Sequence, residues 1–199
     1  MRIEVGKVCV IGVLALQGSV KEHINCIQAA DTKAVEVKTA AQLEKIDGLI
    51  LPGGESTTLG ILLHHFNLLH PIREHILQGL PVWGTCAGMI LLAKKITDQS
   101  VHYLGVMDIV VKRNAFGGQL ESFTTEAVIE AVSPLSIPLV FIRAPYIESV
   151  HQDVQILATV KNHIVAARQR NMLATSFHPE LTNHRGFYDY FMTKMIMKP

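Results

Sequence analysis

The feature that most restricts the fold of this chain is a cysteine between two glycines, placed after a short apolar run and before a helical one. The segment from Pro81 to Leu92 reads P-V-W-G-T-C-A-G-M-I-L-L, so Gly84, Cys86 and Gly88 form a G-x-C-x-G pattern. A strand, tight turn and helix of this kind expose a nucleophile at the top of an α/β sheet. Glycines let the strand and helix approach closely, and the start of a helix favours thiolate over thiol. The pattern therefore predicts a reactive Cys86 on an α/β fold.

A histidine and a glutamate far downstream are the candidate base and its orienting acid. The segment S-F-H-P-E-L contains His178, Pro179 and Glu180. A residue before proline tends to be extended, and residues two apart on an extended chain project to the same side. A carboxylate beside the imidazole fixes its tautomer and stabilises the imidazolium that forms when the thiol proton is taken. Cys86, His178 and Glu180 are therefore the predicted catalytic residues.

Composition narrows the class of protein. The 199 residues, 49% apolar and 18% charged, suit a single domain over 1–199. A net charge of +1 without a Lys/Arg run argues against nucleic acid, and no apolar stretch is long enough to span a membrane. Three cysteines without C-x-x-C indicate neither a disulfide framework nor a thiolate metal site, so we expect a cytoplasmic protein.

The apolar N-terminal run has two interpretations. Arg2 and Lys7 ahead of it resemble the start of a signal peptide, but the run ends in Q-G-S without a small-x-small cleavage pattern. A buried first strand of an α/β domain is therefore favoured, and no processing is expected.

The order of apolar runs predicts the fold class. In the first half, strands predicted over 7–16, 35–37, 48–51 and 82–84 alternate with helices over 20–30, 42–46, 57–67 and 72–77. The second half is strand-rich, with strands over 107–112, 127–132, 139–143, 155–160, 163–168 and 172–176 and a closing helix over 185–195. We expect a single flavodoxin-like, three-layer α/β domain with a central, mostly parallel mixed sheet. The candidate residues then fall at carboxyl ends of strands, where such sheets bind ligands.

Six ordered segments carry a resemblance to a known family. They are G-V-L-A-L-Q-G from Gly12 with Glu22-His23, L-P-G-G-E-S-T-T from Leu51, G-T-C-A-G from Gly84, R-N-A-F-G from Arg113, F-I-R-A-P from Phe141, and F-H-P-E-L from Phe177. Together they resemble the glutaminase subunit of pyridoxal 5′-phosphate synthase, within the class I, or triad, glutamine amidotransferases.

The resemblance implies hydrolysis of the glutamine side-chain amide to glutamate and ammonia. Cys86 would attack the amide carbon, giving a glutamyl thioester, while His178 moves protons. Backbone N–H groups of Gly54 and Ala87 would form the oxyanion hole. Arg113 is the natural charge partner for an amino-acid carboxylate. The full set of implied substrate-binding residues is Gly54, Glu55, Ser56, Arg113, Ile142 and Arg143.

The resemblance also implies a partner. Ammonia would pass to a synthase subunit that makes pyridoxal 5′-phosphate, so this compound is the product of the complex and the chain itself needs no cofactor. Glutaminase activity alone would be weak, with the oxyanion loop set only on docking. Gln17 and Gly18 are placed near that interface as a hypothesis.

Several competing interpretations remain at this point. Cys9 and Cys26 are expected to be small buried hydrophobes. The histidines at 64, 65, 70 and 75 suggest a metal cluster, but adjacent helical positions diverge, so no metal site is expected. Pro52-Gly53-Gly54 could be an ordinary turn, Arg143 could be structural, and Ser133 to Pro138 is interpreted as local variation away from the site. The alternative functions are a cysteine hydrolase, a silent binding module, or the glutaminase of another class I amidotransferase.

Overall fold

The computed structural model describes residues 9–114 and 122–197. Lys7, where the first strand was predicted to begin, and residues 115–117 of the R-N-A-F-G segment lie outside the described residues. In chain order the elements are β1 (Val10–Leu14), α1 (Val20–Gln28), β2 (Lys33–Val37), α2 (Ala40–Leu43), β3 (Gly48–Leu51), α3 (Ser56–His65), α4 (Leu69–Leu77), β4 (Val82–Thr85), α5 (Ala87–Leu92), β5 (Ala93–Ile96), β6 (Met107–Lys112), β7 (Phe123–Ile129), β8 (Ser133–Phe141), β9 (Tyr146–Val150), β10 (Gln155–Val160), β11 (His163–Gln169), β12 (Met172–Thr175), a 3₁₀ turn (Pro179–Leu181), α6 (Gly186–Phe191) and a π-helical turn (Met192–Ile196).

A mixed sheet forms the centre of the molecule. Its order is β2-β1-β3-β4-β12-β11-β9-β6-β5, and β10 also pairs with β11. The five strands from β2 to β12 run parallel, whereas β11 is antiparallel to β12, β9 and β10. Residues 172–176 were predicted to return to the sheet beside β4, the strand that leads into Cys86. The pairing of Thr175 with Thr85 confirms this prediction.

Each face of this sheet has its own core, which accounts for continuous apolar strands. Along β3, Leu49 and Leu51 join the core formed with α2 to α5, while Ile50 joins the core formed with α1 and α6. All four residues of β3 are buried, as expected for a strand covered on both sides. The predicted three-layer α/β fold is therefore confirmed.

The strand-rich second half differs in detail from the sequence prediction. Residues 133–138, interpreted as local variation, are the first part of β8, and Ile137 is buried in the core. Two prolines made the segment resemble a loop, but β7 and β8 form a separate two-stranded sheet in which proline is tolerated at an edge. Strands β5 and β9 were not predicted, and α2 begins at Ala40 rather than near residue 42.

Candidate active site

Cys86 occupies a strained turn between β4 and α5. Its φ of 48° lies in the left-handed region, and its N–H donates to the carbonyl of Thr175 at 2.8 Å. A Cβ at Gly84 would lie 2.5 Å from the backbone of Gly88, and a Cβ at Gly88 would overlap the carbonyl of Leu51. Both glycines are therefore needed for the close approach of strand and helix.

His178 and Glu180 meet directly beneath this turn. His178 Nδ1 lies 2.8 Å from Glu180 Oε1, and the His178 N–H donates to the carbonyl of Val140 at 2.8 Å. The extended chain expected from His178 to Glu180 does not continue past His178, because Pro179 to Leu181 form a 3₁₀ turn. The turn nevertheless brings the carboxylate back onto the imidazole.

The electrostatics of this pair follow from burial and hydrogen bonding. Burial alone would lower the pKa of His178, but hydrogen bonds with Cys86 and Glu180 raise it to about 10. With Nδ1 committed to Glu180, Nε2 is the ring nitrogen left for the Cys86 thiol. Burial alone would raise the pKa of Glu180, but the adjacent His23 and His178 and a hydrogen bond from Ser19 lower it to about 2. The arrangement therefore favours an imidazolium paired with a carboxylate.

Ser19, just before α1, and His23, within it, complete the surroundings of Glu180 and were not among the predicted site residues. The hydroxyl of Ser19 donates to Glu180 Oε1 at 2.6 Å. His23 is fully buried, and its Nε2 lies 3.5 Å from Glu180 Oε2. The pair Glu22-His23 contributed to the family resemblance, but a histidine on a helix gives no local sign that it faces a carboxylate more than 150 residues away.

A cleft of about 200 Å³ opens above Cys86. All six residues expected to bind substrate line it, together with Cys86 and Ala87. The cleft also includes Ile90, Asn114 and Pro145, which were not assigned to the site. Asn114 and Pro145 belong to the motif segments around Arg113 and Arg143. Their place in these motifs was the one sign in the sequence that they lie at the site.

One of the two arginines that line the cleft, Arg113, is paired with an acidic residue of the same cleft. Arg113 Nη2 lies 3.0 Å from Glu55 Oε1, so Arg113 already has a carboxylate partner before any substrate binds. The Glu55 side chain also caps α3 by accepting from the N–H groups of Thr57 and Thr58 at 3.0 and 2.7 Å. Although burial acts to raise it, these hydrogen bonds lower the pKa of Glu55 to about 2.

The loop at Gly53-Gly54 is held by the segment from Gln17 to Ser19. Gln17 Oε1 accepts from the N–H of Glu55 at 2.9 Å, and the N–H of Ser19 donates to the carbonyl of Gly53 at 3.1 Å. Because carbonyl and N–H oppose each other across a trans peptide, the N–H of Gly54 points away from Ser19. A Cβ at Gly53 would lie 2.5 Å from the ring of His178, so this loop lies against the candidate base.

The histidines that suggested a metal cluster lie elsewhere. His64, His65 and His70 are exposed, while His75 contacts the carbonyl of Pro71 and the carboxylate of Glu44 at 2.8 and 3.2 Å. Within residues 9–114 and 122–197, no group of three or more His, Cys, Asp or Glu is placed to hold a metal ion. Over the same ranges, no helix has the length and apolar character needed to cross a bilayer.

Comparisons with known proteins agree with the geometry. Residues 13–197 match the family described as the SNO glutamine amidotransferase family. The proteins named pyridoxal 5′-phosphate synthase subunit PdxT from Clostridium acetobutylicum and Clostridium beijerinckii are 53% and 55% identical, over 92% and 94% of this chain and 98% and 99% of their own lengths. A crystal structure described as a glutamine amidotransferase superposes with a TM-score of 0.87 at 41% identity, covering 92% of this chain and 97% of that one. A putative GMP synthase subunit from Thermoplasma acidophilum, 19% identical with a TM-score of 0.66, covers 94% of this chain and 93% of its own and shares the fold.

Proposed function

Because the chain belongs to the SNO glutamine amidotransferase family, we propose that it hydrolyses L-glutamine to L-glutamate and ammonia for a pyridoxal 5′-phosphate synthase. The family resemblance predicted from the six segments is confirmed, and the chain is a glutamine amidotransferase. Relatives named PdxT support the assignment to a pyridoxal 5′-phosphate synthase, since they match this chain over nearly their whole length.

The observation that carries the proposal is the position of the His178–Glu180 pair below the cysteine turn. The Nδ1–Oε1 distance of 2.8 Å leaves the other ring nitrogen for Cys86, and Cys86 lines the cleft. A nucleophile, base and orienting acid in this order can open an amide by covalent catalysis.

The steps follow from that geometry. The proton of the Cys86 thiol passes to His178, the sulfur attacks the side-chain amide carbon, and the oxyanion that forms accepts hydrogen bonds from the N–H groups of Gly54 and Ala87. Each such donor is worth about 3 kcal/mol of barrier. The imidazolium of His178 protonates the leaving nitrogen, so ammonia departs and a glutamyl thioester remains. Water then attacks the thioester with His178 as base, which releases glutamate and restores the thiol.

The rest of the cleft suits the charged end of glutamine. The Glu55–Arg113 pair presents both signs of charge in the cleft, and Arg143 also lines it. An α-ammonium group beside Glu55 and an α-carboxylate beside either arginine would pair every charge of the substrate. Ser56 adds a buried hydroxyl at the cleft that has no hydrogen-bond partner among the described residues.

The synthase partner and the absence of a resident cofactor are part of the same proposal. Gln17 and Ser19 hold the oxyanion loop, and Gly18 between them is exposed, so docking at this segment would set the loop. Pyridoxal 5′-phosphate would be made on the synthase subunit. Three cysteines without a disulfide suit a cytoplasmic location.

Ammonia release from glutamine tests the proposal, measured with and without the synthase subunit of a PdxT-containing relative. We expect weak release alone, stimulation by the partner, and loss of both in Cys86→Ala. Cys9→Ala is the matched control, because Cys9 precedes β1 and does not line the cleft. Turnover in Cys86→Ala equal to that of Cys9→Ala would contradict the mechanism. Strong turnover that the synthase subunit does not increase would contradict the assignment to a pyridoxal 5′-phosphate synthase.

A further inference from the structure

A second buried histidine lies on the far side of the catalytic carboxylate. His23 belongs to the first turns of α1 and has no exposed surface. Its Nδ1 lies 2.8 Å from the hydroxyl of Tyr188, and its Nε2 lies 3.2 Å from the hydroxyl of Thr85 and 3.5 Å from Glu180 Oε2. Glu180 therefore lies between two imidazoles, one on each carboxylate oxygen.

The two oxygens of Glu180 are held unequally. Oε1 accepts from Ser19 and contacts Nδ1 of His178, at 2.6 and 2.8 Å. Oε2 is buried and has no hydrogen-bond partner among the described residues, and the polar atom 3.5 Å away is Nε2 of His23. A buried carboxylate oxygen without a donor is costly, so it matters whether Nε2 of His23 carries a proton that it can donate to Oε2.

Of the two neutral tautomers of His23, the one protonated on Nε2 suits the neighbouring carboxylate, because the hydroxyls of Thr85 and Tyr188 can each donate or accept. With the proton on Nε2, the N–H faces the oxygens of Thr85 and Glu180, while Nδ1 accepts from the hydroxyl of Tyr188. With the proton on Nδ1, a lone pair on Nε2 would face the carboxylate and repel it. Burial lowers the pKa of His23, which favours the neutral ring.

We propose that His23 is a positioning residue for the glutaminase reaction: its Nε2–H holds Oε2 of Glu180, and Tyr188 fixes the tautomer that makes this possible. The chain of contacts runs from Tyr188 through His23 and Glu180 to His178. It fixes the rotation of the carboxylate, so that Oε1 stays aligned with the ring that serves Cys86. As a claim about turnover, this inference rests on the proposed function.

The other charged and titratable groups around His23 do not replace this contact. His178 opposes and Glu22 favours a positive charge on His23, but the ring nitrogens of His23 contact Tyr188, Thr85 and Glu180 instead. Trp83 packs edge-on against the ring, with centroids 6.1 Å apart, and its indole N–H donates to Thr175 instead. A leucine could fill the space of the ring but could not donate to Glu180.

The test compares His23→Leu, which removes both nitrogens, with His23→Gln, which keeps a donor near the position of Nε2. We expect His23→Leu to lower the partner-stimulated kcat by about tenfold to a hundredfold, the usual effect of removing an outer hydrogen-bond partner. KM should stay within about twofold, because the cleft is not altered. His23→Gln should recover most of kcat. The matched control, His75→Leu, should leave kcat unchanged, since His75 contacts Pro71 and Glu44 on the α4 side of the molecule.

Nuclear magnetic resonance of ¹⁵N-labelled histidines gives a readout that needs no turnover. In the wild-type protein His23 should carry its proton on Nε2. In His23→Leu the pKa of His178 should fall from its raised value, while His23→Gln and the control should retain it. Tyr188→Phe, which removes only the hydroxyl, should lower the pKa of His178 by a smaller amount. This variant replaces His23→Leu in the test if the leucine disturbs folding.

The outcomes separate the two proposals. Absence of ammonia release from the wild-type protein with its partner would overturn the proposed function, and the titration of His178 would still decide the role of His23. A proton on Nδ1 of His23, or an unchanged pKa of His178 in His23→Leu, would overturn the positioning role. So would equal losses of kcat in His23→Leu and His23→Gln, because these would show that the ring is needed only for packing.

Discussion

Replacing Glu180 by glutamine should reveal how much the buried carboxylate stabilises the folded chain. The Glu180 side chain is fully buried, and its pKa is lowered from 4.5 to about 2. Because the folded pKa lies below the unfolded one, the stabilisation is complete above about pH 4.5 and is lost as the pH falls toward about 2. The difference corresponds to about 3 kcal/mol at neutral pH.

Urea unfolding at pH 7 and pH 3 measures this effect. We expect Glu180→Gln to lower the free energy of unfolding by about 3 kcal/mol at pH 7. At pH 3 the loss should be less than half of that, because in wild type the unfolded chain is protonated at Glu180 while the folded chain is still mostly ionised there. Glu74→Gln, on the exposed face of α4, is the matched control and should change stability by less than about 0.5 kcal/mol at either pH. A loss that does not shrink at low pH, or no loss at neutral pH, would refute the reasoning.

Three further predictions concern the turn, the cleft and the interface. Gly88→Ala should lower the free energy of unfolding by about 1–3 kcal/mol by urea titration, because its Cβ would overlap the Leu51 carbonyl of a central strand. Arg113→Lys should raise KM for glutamine with little change in kcat in the ammonia assay, since lysine cannot reproduce a planar guanidinium facing both Glu55 and substrate. Gln17→Ala should reduce partner-stimulated kcat more than basal kcat, because the amide that holds the oxyanion loop is lost.

Each of these has its own contradicting result. A Gly88→Ala protein as stable as wild type would mean that the strand and helix can separate without cost. A fall in kcat with an unchanged KM for Arg113→Lys would place Arg113 in the chemical step rather than in binding. Unchanged stimulation in Gln17→Ala would remove Gln17 from the activation of the loop.

The sequence was sufficient to predict those elements that depend on residue patterns within a short stretch of chain. The cysteine turn could be predicted because Gly84 and Gly88 are required by contacts within a few residues and with the adjoining strand. The parallel half of the sheet could be predicted because strands covered on both faces, such as β3, are continuously apolar. All six expected substrate residues line one cleft, because the fold brings together the segments that follow β3, β6 and β8.

What the sequence did not reveal depends on contacts between distant residues. His23 and Ser19 reach Glu180 across more than 150 positions, and neither has a neighbour in the chain that indicates a carboxylate. The pairing of Arg113 with Glu55 was missed for the same reason. The first part of the strand at Ser133–Phe141, residues 133–138, was missed because its prolines resemble a loop until its partner strand is known.

The central claim is that the sulfur of Cys86, served by His178, forms a covalent bond to the side-chain carbonyl carbon of glutamine. Intact-mass measurement after treatment with a glutamine analogue bearing an electrophilic ketone tests it most directly, using wild type, Cys86→Ala and Cys9→Ala. We expect one adduct per chain in wild type and Cys9→Ala, located at Cys86 by peptide mapping and prevented by excess glutamine, and none in Cys86→Ala. An adduct of equal yield in Cys86→Ala, or one that glutamine does not prevent, would contradict it.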